Sequence, residues 1–304
     1  MTRAATERLS LKQRLHAREG RGRVWVCGHR GAMGHCPENT MASFERGLEL
    51  GADWLELDVH LSRDEALIVI HDETLDRTTN GHGLVREHSL AELRTLDAGG
   101  GQRIPTLDEV LAWARERETI VDIEIKNAPV YYAGIQQKVV AAVRAAGMTE
   151  SVIVISFDHL AVRRVHELDP NIATGVLYGC RPTDGGVGLA RAAGADAVLP
   201  YWTYVLQEDV EAAHAAGLAV APWATSDPTV LRRLLDYGVD SICTNHPDIL
   251  RDIVVSARKS RGVGGVPSTG GQTSRANREE ELAHTDPANP RDEAAANRTA
   301  EVAP

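Results

Sequence analysis

The sequence predicts an α/β protein built as a (β/α)8 TIM barrel, with a small insertion and an extra β-hairpin near the second barrel strand. Three observations predict it. Short β-branched runs alternate with Ala-, Leu- and Arg-containing segments of helical period from about residue 24 to residue 250. Helical segments repeatedly stop at a glycine just before the next run, at Gly51, Gly147, Gly217 and Gly238. Two of the nine candidate strands lie too close in sequence to be parallel neighbours, and counting the second of them as a hairpin arm leaves the eight a closed barrel needs. Strand counting alone leaves a doubly wound open sheet as the rival.

In chain order, strands are expected over residues 24–28, 54–59, 67–71, 120–126, 152–157, 173–178, 195–200, 219–223 and 241–244. Helices are expected over 41–50, 107–117, 134–146, 159–168, 208–216 and 229–237, where apolar residues recur at helical spacing. Only residues 61–66 separate the second and third strands. A parallel crossover takes about a dozen residues or more, so these two form an antiparallel hairpin turning at Ser62–Glu65. Before the first strand, residues 5–18 carry Leu9, Leu11 and Leu15 at helix-compatible spacing, a segment that either docks on the body or frays. From about residue 256 the chain is rich in Gly, Pro, Ser, Asn and mixed charge without apolar period, and is expected to be disordered. The expected organisation is an N-terminal extension (1–22), one barrel domain (23–255) with an insertion at about 72–106, and a tail (256–304).

Composition bounds the function. Of 304 residues, 43% are hydrophobic and 25% charged, enough for a large core, which excludes a wholly disordered chain. A formal net charge of −10 argues against a nucleic-acid partner. No apolar stretch approaches the ~18–20 residues needed to span a bilayer, and the N-terminus carries no apolar secretory segment. Cys27, Cys36, Cys180 and Cys243 lack metal-like pairing. They read as reduced thiols in a cytoplasmic protein without stable membrane association, its oligomeric state open.

Barrel strands are covered on both faces and should be mostly apolar. Three are not. In Trp54-Leu55-Glu56-Leu57-Asp58-Val59, Glu56 and Asp58 share one face; in Val121-Asp122-Ile123-Glu124-Ile125-Lys126, Asp122, Glu124 and Lys126 do. His29 and Arg30 arrive where the first strand ends. Carboxylates gathered at the C-terminal rim of a barrel, where such folds place their sites, repel one another unless a cation neutralises them. Oxygen-only ligands favour one hard divalent ion, Mg²⁺ or Ca²⁺, so Glu56, Asp58 and Glu124 are the candidate metal triad. His29 and His71 are the candidate acid–base pair, and Arg30 and Lys126 supply fixed positive charge for an anion. Two bases, a hard metal and two cations read as phosphoester cleavage.

The ordered set His29-Arg30-Gly31, Pro37-Glu38-Asn39-Thr40, Leu55-Glu56-Leu57-Asp58-Val59, His71-Asp72, Leu75-Asp76-Arg77-Thr78-Thr79, Gly81-His82-Gly83 and Glu124-Ile125-Lys126 resembles the glycerophosphodiester phosphodiesterases. So do Ser156-Phe157, Pro222-Trp223 and the segment Gly238–Asn245, and the likeness runs from about residue 24 to residue 250. It implies metal-dependent hydrolysis of a small glycerophosphodiester to sn-glycerol 3-phosphate and an alcohol in glycerophospholipid catabolism. The same resemblance implies that His29 and His71 do acid–base work, that Glu56, Asp58 and Glu124 hold the ion, and that Arg30 and Lys126 contact phosphate. Glu38 and Asn39 are implied as supports, Trp223 as a pocket wall, and residues 72–106 as the insertion that receives glycerol. Two departures, Ala224-Thr225-Ser226 after Trp223 and Asn245 where Asp is commoner, leave the pocket shape open. The alternatives kept are a lysophospholipase D and a non-catalytic phosphoester-binding barrel.

Other residues take blander expectations. Asp72 and Asp76 either shape a loop or join the site, and Tyr201, Trp202 and Tyr204 either pack or form an aromatic lip. His35, His82 and His88 read as solvated loop residues, His159, His166 and His214 as surface residues on helices, and Cys27 as a small core residue.

Overall fold

The computed structural model describes residues 9–17 and 24–262. Contacts divide the chain into a unit of residues 1–259 and another of residues 260–304, and the elements below belong to the first apart from the end of the last helix. The strands are β1 (Trp25–Gly28), β2 (Trp54–Leu61), β3 (Leu67–Val69), β4 (Ile120–Ile125), β5 (Val152–Ser156), β6 (Ala173–Tyr178), β7 (Ala197–Pro200), β8 (Ala219–Val220) and β9 (Ser241–Thr244). The helices are α1 (Leu11–His16), α2 (Met41–Glu49), α3 (Leu90–Leu93), α4 (Leu107–Glu116), α5 (Ile135–Ala145), α6 (His159–Leu168), α7 (Gly185–Ala193), α8 (Gln207–Ala215), α9 (Pro228–Tyr237) and α10 (Pro247–Gly262).

Eight strands run parallel in the order β8-β7-β6-β5-β4-β2-β1-β9, and β3 lies antiparallel on β2. The seam between the two end strands is closed by backbone bonds: Asp240 N–H donates to Val220 C=O at 2.8 Å, Cys243 N–H to Pro222 C=O at 3.0 Å, and Thr225 N–H to Cys243 C=O at 3.2 Å. This is a (β/α)8 barrel with alternating helices outside, and the open-sheet rival falls with the closed seam. The hairpin turn forms where the short spacing demands it. Ser62 Oγ accepts from Ala66 N–H at 2.9 Å and donates to Asp64 at 2.7 Å, while Glu65 takes the left-handed conformation.

The differences from the sequence reading have local causes. β8 holds only two residues; beyond it the Ala221 and Trp223 N–H groups still donate to the Val198 and Pro200 carbonyls, at 3.0 and 3.1 Å, while Pro222 has no N–H to offer. α7 is not among the helices named from the sequence, and its first turn holds the weak helix formers Gly185, Gly186 and Gly188; Ala190 and Ala193 bury their methyls on the barrel and Gly194 closes the helix at φ 67°. α10 continues through Gly262, past the boundary expected at 255, and residues 263–304 of the expected tail lie outside the described ones.

Outside the barrel, leucine, isoleucine and valine of β2 and β4 pack under α2, α4, α5 and α6, and those of β6 to β9 under the later helices. Inside, Trp54, Ile120, Ile153, Ala173, Ala197 and Ala219 form an apolar floor together with Leu11 and Leu15 of α1. The segment that sequence left to dock or fray therefore closes the base of the barrel. Each leucine so buried contributes about 1.5–3 kcal/mol relative to exposure. Ser10 and Gln13 cap α1 reciprocally, and Lys12 and His16 both reach Asp196, at 3.2 and 2.9 Å. Above this floor the interior turns polar. The insertion has its own small core, Leu75, Val85, Leu93, Ala98 and Ile104, packed on Ile68 and Ile70 of the hairpin arm.

Candidate active site

Parallel pairing of β2 with β4 sets Glu56 opposite Asp122 and Asp58 opposite Glu124, so the two polar faces seen in sequence become one. One carboxylate oxygen each from Glu56, Asp58 and Glu124 falls within 4.8 Å of the others, and all three residues are buried. Asn39 Nδ2 donates to Asp58 Oδ2 at 2.8 Å, and Arg30 Nε lies 3.5 Å from that oxygen. Asp58 Oδ1 has no hydrogen-bond partner among the described residues, with Lys126 Nζ standing 3.6 Å away.

Burial works to raise the Asp58 pKa, but the charges of His71, Lys126 and Arg30 and the Asn39 amide overcome it and hold the carboxyl well below its usual range. Burial and repulsion from Asp58 drive Glu56 the other way, well above its ordinary value. Burial and Asp58 also raise Glu124, against the opposing pull of Lys126. Asp122, one step deeper on β4, is raised well above by burial and by Glu124. Crowded buried carboxylates that resist ionising, one with an orphaned oxygen, fit a hard divalent cation, which would repay the repulsion.

Around this cluster stand the other residues singled out in sequence. His29 follows β1 and its Nδ1 donates to Asn245 Oδ1 at 2.7 Å, so Nε2 keeps its lone pair. Burial, with the neighbouring Arg30 charge, pushes its pKa down to about 3. His71 sits just past β3, and Ile70 N–H donates to the Asp58 carbonyl at 3.1 Å, which fixes this end of the arm beside the cluster. The His71 ring is gripped at Nδ1 by Asp72 at 2.6 Å, and its Nε2 faces Lys126 Nζ at 3.1 Å. Lys126 Nζ also pairs with Glu124 at 2.9 Å. Burial opposes the charge on Lys126, but Glu124 and Asp58 raise its pKa nonetheless.

Arg30 is held in the left-handed conformation, φ 48°, by bonds at both ends of its backbone. Its N–H donates to Glu56 at 2.8 Å and its carbonyl accepts from Ser43 Oγ at 2.8 Å. Such a conformation costs on the order of 1–3 kcal/mol and aims the guanidinium into the mouth. Gly31 follows at φ 86°, where a Cβ would lie 2.6–2.7 Å from the Ser43 backbone.

Glu38 bonds Arg30 at 3.0 Å and takes two bonds from Arg77 at 2.8 Å; Arg77 continues to Asp72 at 2.7 and 3.0 Å. This chain ties the insertion to the rim and places Arg77 and Asp72 behind His71. Arg77 was passed over as a site residue, although its motif was visible. Asp76 instead shapes its loop, bonding His82 and the Gly83 N–H at 3.0 Å.

His60, unassigned in sequence, is buried with Nδ1 3.1 Å from the Tyr132 hydroxyl and Nε2 2.9 Å from the His71 carbonyl. Across the mouth, Trp223 packs edge-on to Phe157 at 5.3 Å and lies 5.0 Å from Tyr201, with its Nε1 donating to the Leu199 carbonyl. Trp202 instead packs into the outer layer, with Arg233 over its ring at 5.9 Å. The helical histidines depart from the surface expectation: His214 pairs with Asp240 at 3.0 Å and is 12% exposed, His159 reaches the Leu177 carbonyl at 2.7 Å, and His166 is half-buried with its Nδ1 shielded from solvent. His35, expected to be solvated, pairs with Asp248 at 3.0 Å.

The sequence pattern of the glycerophosphoryl diester phosphodiesterase family matches residues 29–249. A glycerophosphodiester phosphodiesterase of Caldanaerobacter subterraneus is 39% identical over 236 residues, which cover 75% of this chain and 97% of that protein. The solved structure of a glycerophosphodiester phosphodiesterase from Agrobacterium tumefaciens aligns at TM-score 0.66 and 33% identity, covering 75% of this chain and 99% of that one. The structure of an Oleispira antarctica phosphodiesterase in complex with the product sn-glycerol-3-phosphate aligns at TM-score 0.70 and 26% identity, covering 77% and 97%.

Proposed function

Because the chain belongs to the glycerophosphoryl diester phosphodiesterase family, we propose that it hydrolyses glycerophosphodiesters to sn-glycerol 3-phosphate and an alcohol at the barrel mouth, serving glycerophospholipid catabolism. The observation that carries the reading is the convergence of the Glu56–Asp58–Glu124 cluster with His29, His71, Arg30 and Lys126 on one rim. In this reading the arginine and lysine hold the phosphodiester anion against the cluster.

His29 is the base: burial and the adjacent Arg30 guanidinium keep its ring unprotonated, the Asn245 amide oxygen orients it through Nδ1, and Nε2 removes the proton from the attacking oxygen. His71 is the acid: Asp72 orients its ring through Nδ1, and Nε2 is the atom that passes a proton to the departing alcohol oxygen. One P–O bond forms to the nucleophile, either water or the glycerol 2-hydroxyl by way of a cyclic phosphate, and the P–O bond to the alcohol breaks. A single Mg²⁺ or Ca²⁺ held by Glu56, Asp58 and Glu124 would supply positive charge against the crowded phosphoryl oxygens. Glu38 and Asn39 orient Arg30 and Asp58, and Trp223 lines the alcohol side. Four free cysteines support a reducing, cytoplasmic setting, and no helix among the described residues is long and apolar enough to cross a membrane.

The test is release of glycerol 3-phosphate from glycerophosphocholine and glycerophosphoethanolamine with Mg²⁺, with Ca²⁺ and with chelator. Ion-dependent release from both substrates is expected. Faster turnover of lysophosphatidylcholine would move the assignment to a lysophospholipase D, and binding without product under every ion would leave a phosphoester-binding barrel.

A further inference from the structure

A second cluster of metal-ligating side chains stands on the same rim, separate from the carboxylates. His35 on the loop after β1 and His246 and Asp248 at the start of α10 bring one ligand atom each within 4.8 Å of the others. His35 Nε2 lies 3.0 Å from Asp248 Oδ1 and 3.3 Å from His246 Nδ1. We propose that these three residues form a binding site for a second divalent ion, of the borderline class (Zn²⁺, Co²⁺ or Ni²⁺), which staples the β1–α2 loop to the start of α10.

Three observations carry this. The first is spacing. A tetrahedral ion with bonds of about 2.0–2.1 Å separates its ligand atoms by about 3.3 Å, and both measured edges of the triangle fall near that value. The second is proton accounting. His35 Nε2 faces an acceptor-only carboxylate and another ring nitrogen at the same time. If Nε2 carries the hydrogen, one N–H must divide itself between two acceptors; if it does not, its lone pair faces the carboxylate lone pairs at 3.0 Å. A cation at the centre would satisfy all three lone pairs.

The third is the scaffold. Gly34 N–H donates to the Asn245 carbonyl at 3.0 Å, and a Cβ on Gly34 would lie 2.4–2.5 Å from the His246 ring, so glycine is what lets the two loops close up here. His246 is further held by its own N–H donating to Thr244 Oγ1 at 3.2 Å. The site is preformed and half-exposed, leaving room for a water as fourth ligand.

The donor set decides the ion class. Two imidazoles and one carboxylate suit borderline transition ions, whereas the oxygen-only cluster of Glu56, Asp58 and Glu124 suits hard ones. The staple would join the loop that begins at His29 to the loop that carries Asn245, the partner of the His29 ring.

The experiment uses the untagged full-length chain, stripped with chelator, dialysed and titrated with Co²⁺, reading its visible absorption and the melting temperature. A four-coordinate Co²⁺ band is expected in wild type and in the E56Q/D58N double variant. It should disappear in H35Q and H246A, with apparent affinity falling at least tenfold, in proteins whose far-ultraviolet circular dichroism matches wild type. Zn²⁺ should bleach the band and raise the melting temperature of the double variant but not of the double variant that also carries H246A. No band in folded wild type, a band that survives H35Q and H246A, or a band lost in E56Q/D58N would each overturn the proposal. Because the double variant lacks two carboxylates of the other cluster, this outcome does not depend on turnover.

Discussion

In the mechanism we propose, His29 and His71 take different tasks, and their rings have different partners. An amide oxygen orients the His29 ring, which burial and Arg30 hold neutral, while a carboxylate orients the His71 ring. Alanine at either position is expected to lower kcat by about 10²–10⁴, the range for removing a positioned acid or base. Steady-state release of glycerol 3-phosphate checks it, and near-wild-type turnover of both variants would end the assignment. Asn245→Asp gives a sharper test. The His29 pKa lies at about 3, mainly from burial, and a negative partner would raise it. A base is lost as pH falls through its pKa, so the part of the acid limb of kcat/KM set by His29 should move to higher pH in the variant. A pH–rate profile that does not shift would mean that His29 is not the base.

At the scale of elements, the β2–β4 register and the hairpin decide which polar residues meet. Glu56 and Asp58 become neighbours of Glu124 because two parallel strands align two alternations, and His71 returns to Asp58 because a five-residue turn reverses the chain. α1 contributes differently, as the floor. Leu15→Ala should cost about 2–5 kcal/mol in a urea melt, as expected for a leucine 2% exposed in a packed interior. An unchanged melt would mean that α1 is not part of the cooperative core.

The loop after α6 is held by Asp169, whose carboxylate takes Arg144 Nε at 2.7 Å and the Asn171 N–H at 3.1 Å. Burial alone would raise Asp169, but these bonds lower it. A carboxylate lowered in the folded state adds stability above its unfolded pKa, lost as pH falls through the folded value. Asp169→Asn is therefore expected to cost on the order of 1 kcal/mol at pH 7, since Arg144 is half-exposed, and the gap to wild type should shrink below about pH 4. Paired melts at pH 7 and pH 3 measure it; an equal gap at both would assign the effect to packing.

For the molecule as a whole, the carboxylate cluster costs the fold stability, and in the proposed mechanism it is where the ion binds. Burial and mutual repulsion push Glu56 and Glu124 toward protonation, so crowding these carboxylates costs stability. A bound divalent ion adds RT ln(1 + [L]/Kd), about 2.7 kcal/mol at a hundredfold excess over Kd. Mg²⁺ or Ca²⁺ should accordingly raise the wild-type melting temperature. Glu56→Gln should melt higher than wild type in chelator, gain little from the ion and lose turnover. Differential scanning calorimetry in chelator and in each ion decides it, and a variant that melts lower than wild type in chelator would remove the repulsion argument.

The local alphabet was enough for much of this. Alternating Glu and Asp within apolar runs marked β2 and β4, a spacing too short for a crossover marked the hairpin, and Glu56, Asp58, Glu124, His29, His71, Arg30 and Lys126 were legible as one chemistry. These are features of neighbouring residues, where strand period and chain length act directly. Contacts between residues far apart in sequence were not legible. Whether Leu11 and Leu15 dock or fray, whether α7 overcomes its glycines, whether Arg77 reaches Glu38 and whether His35 meets His246 and Asp248 all depend on surfaces that exist only once the barrel has closed. Burial and long-range pairing supply those energies, and no stretch of sequence contains both partners.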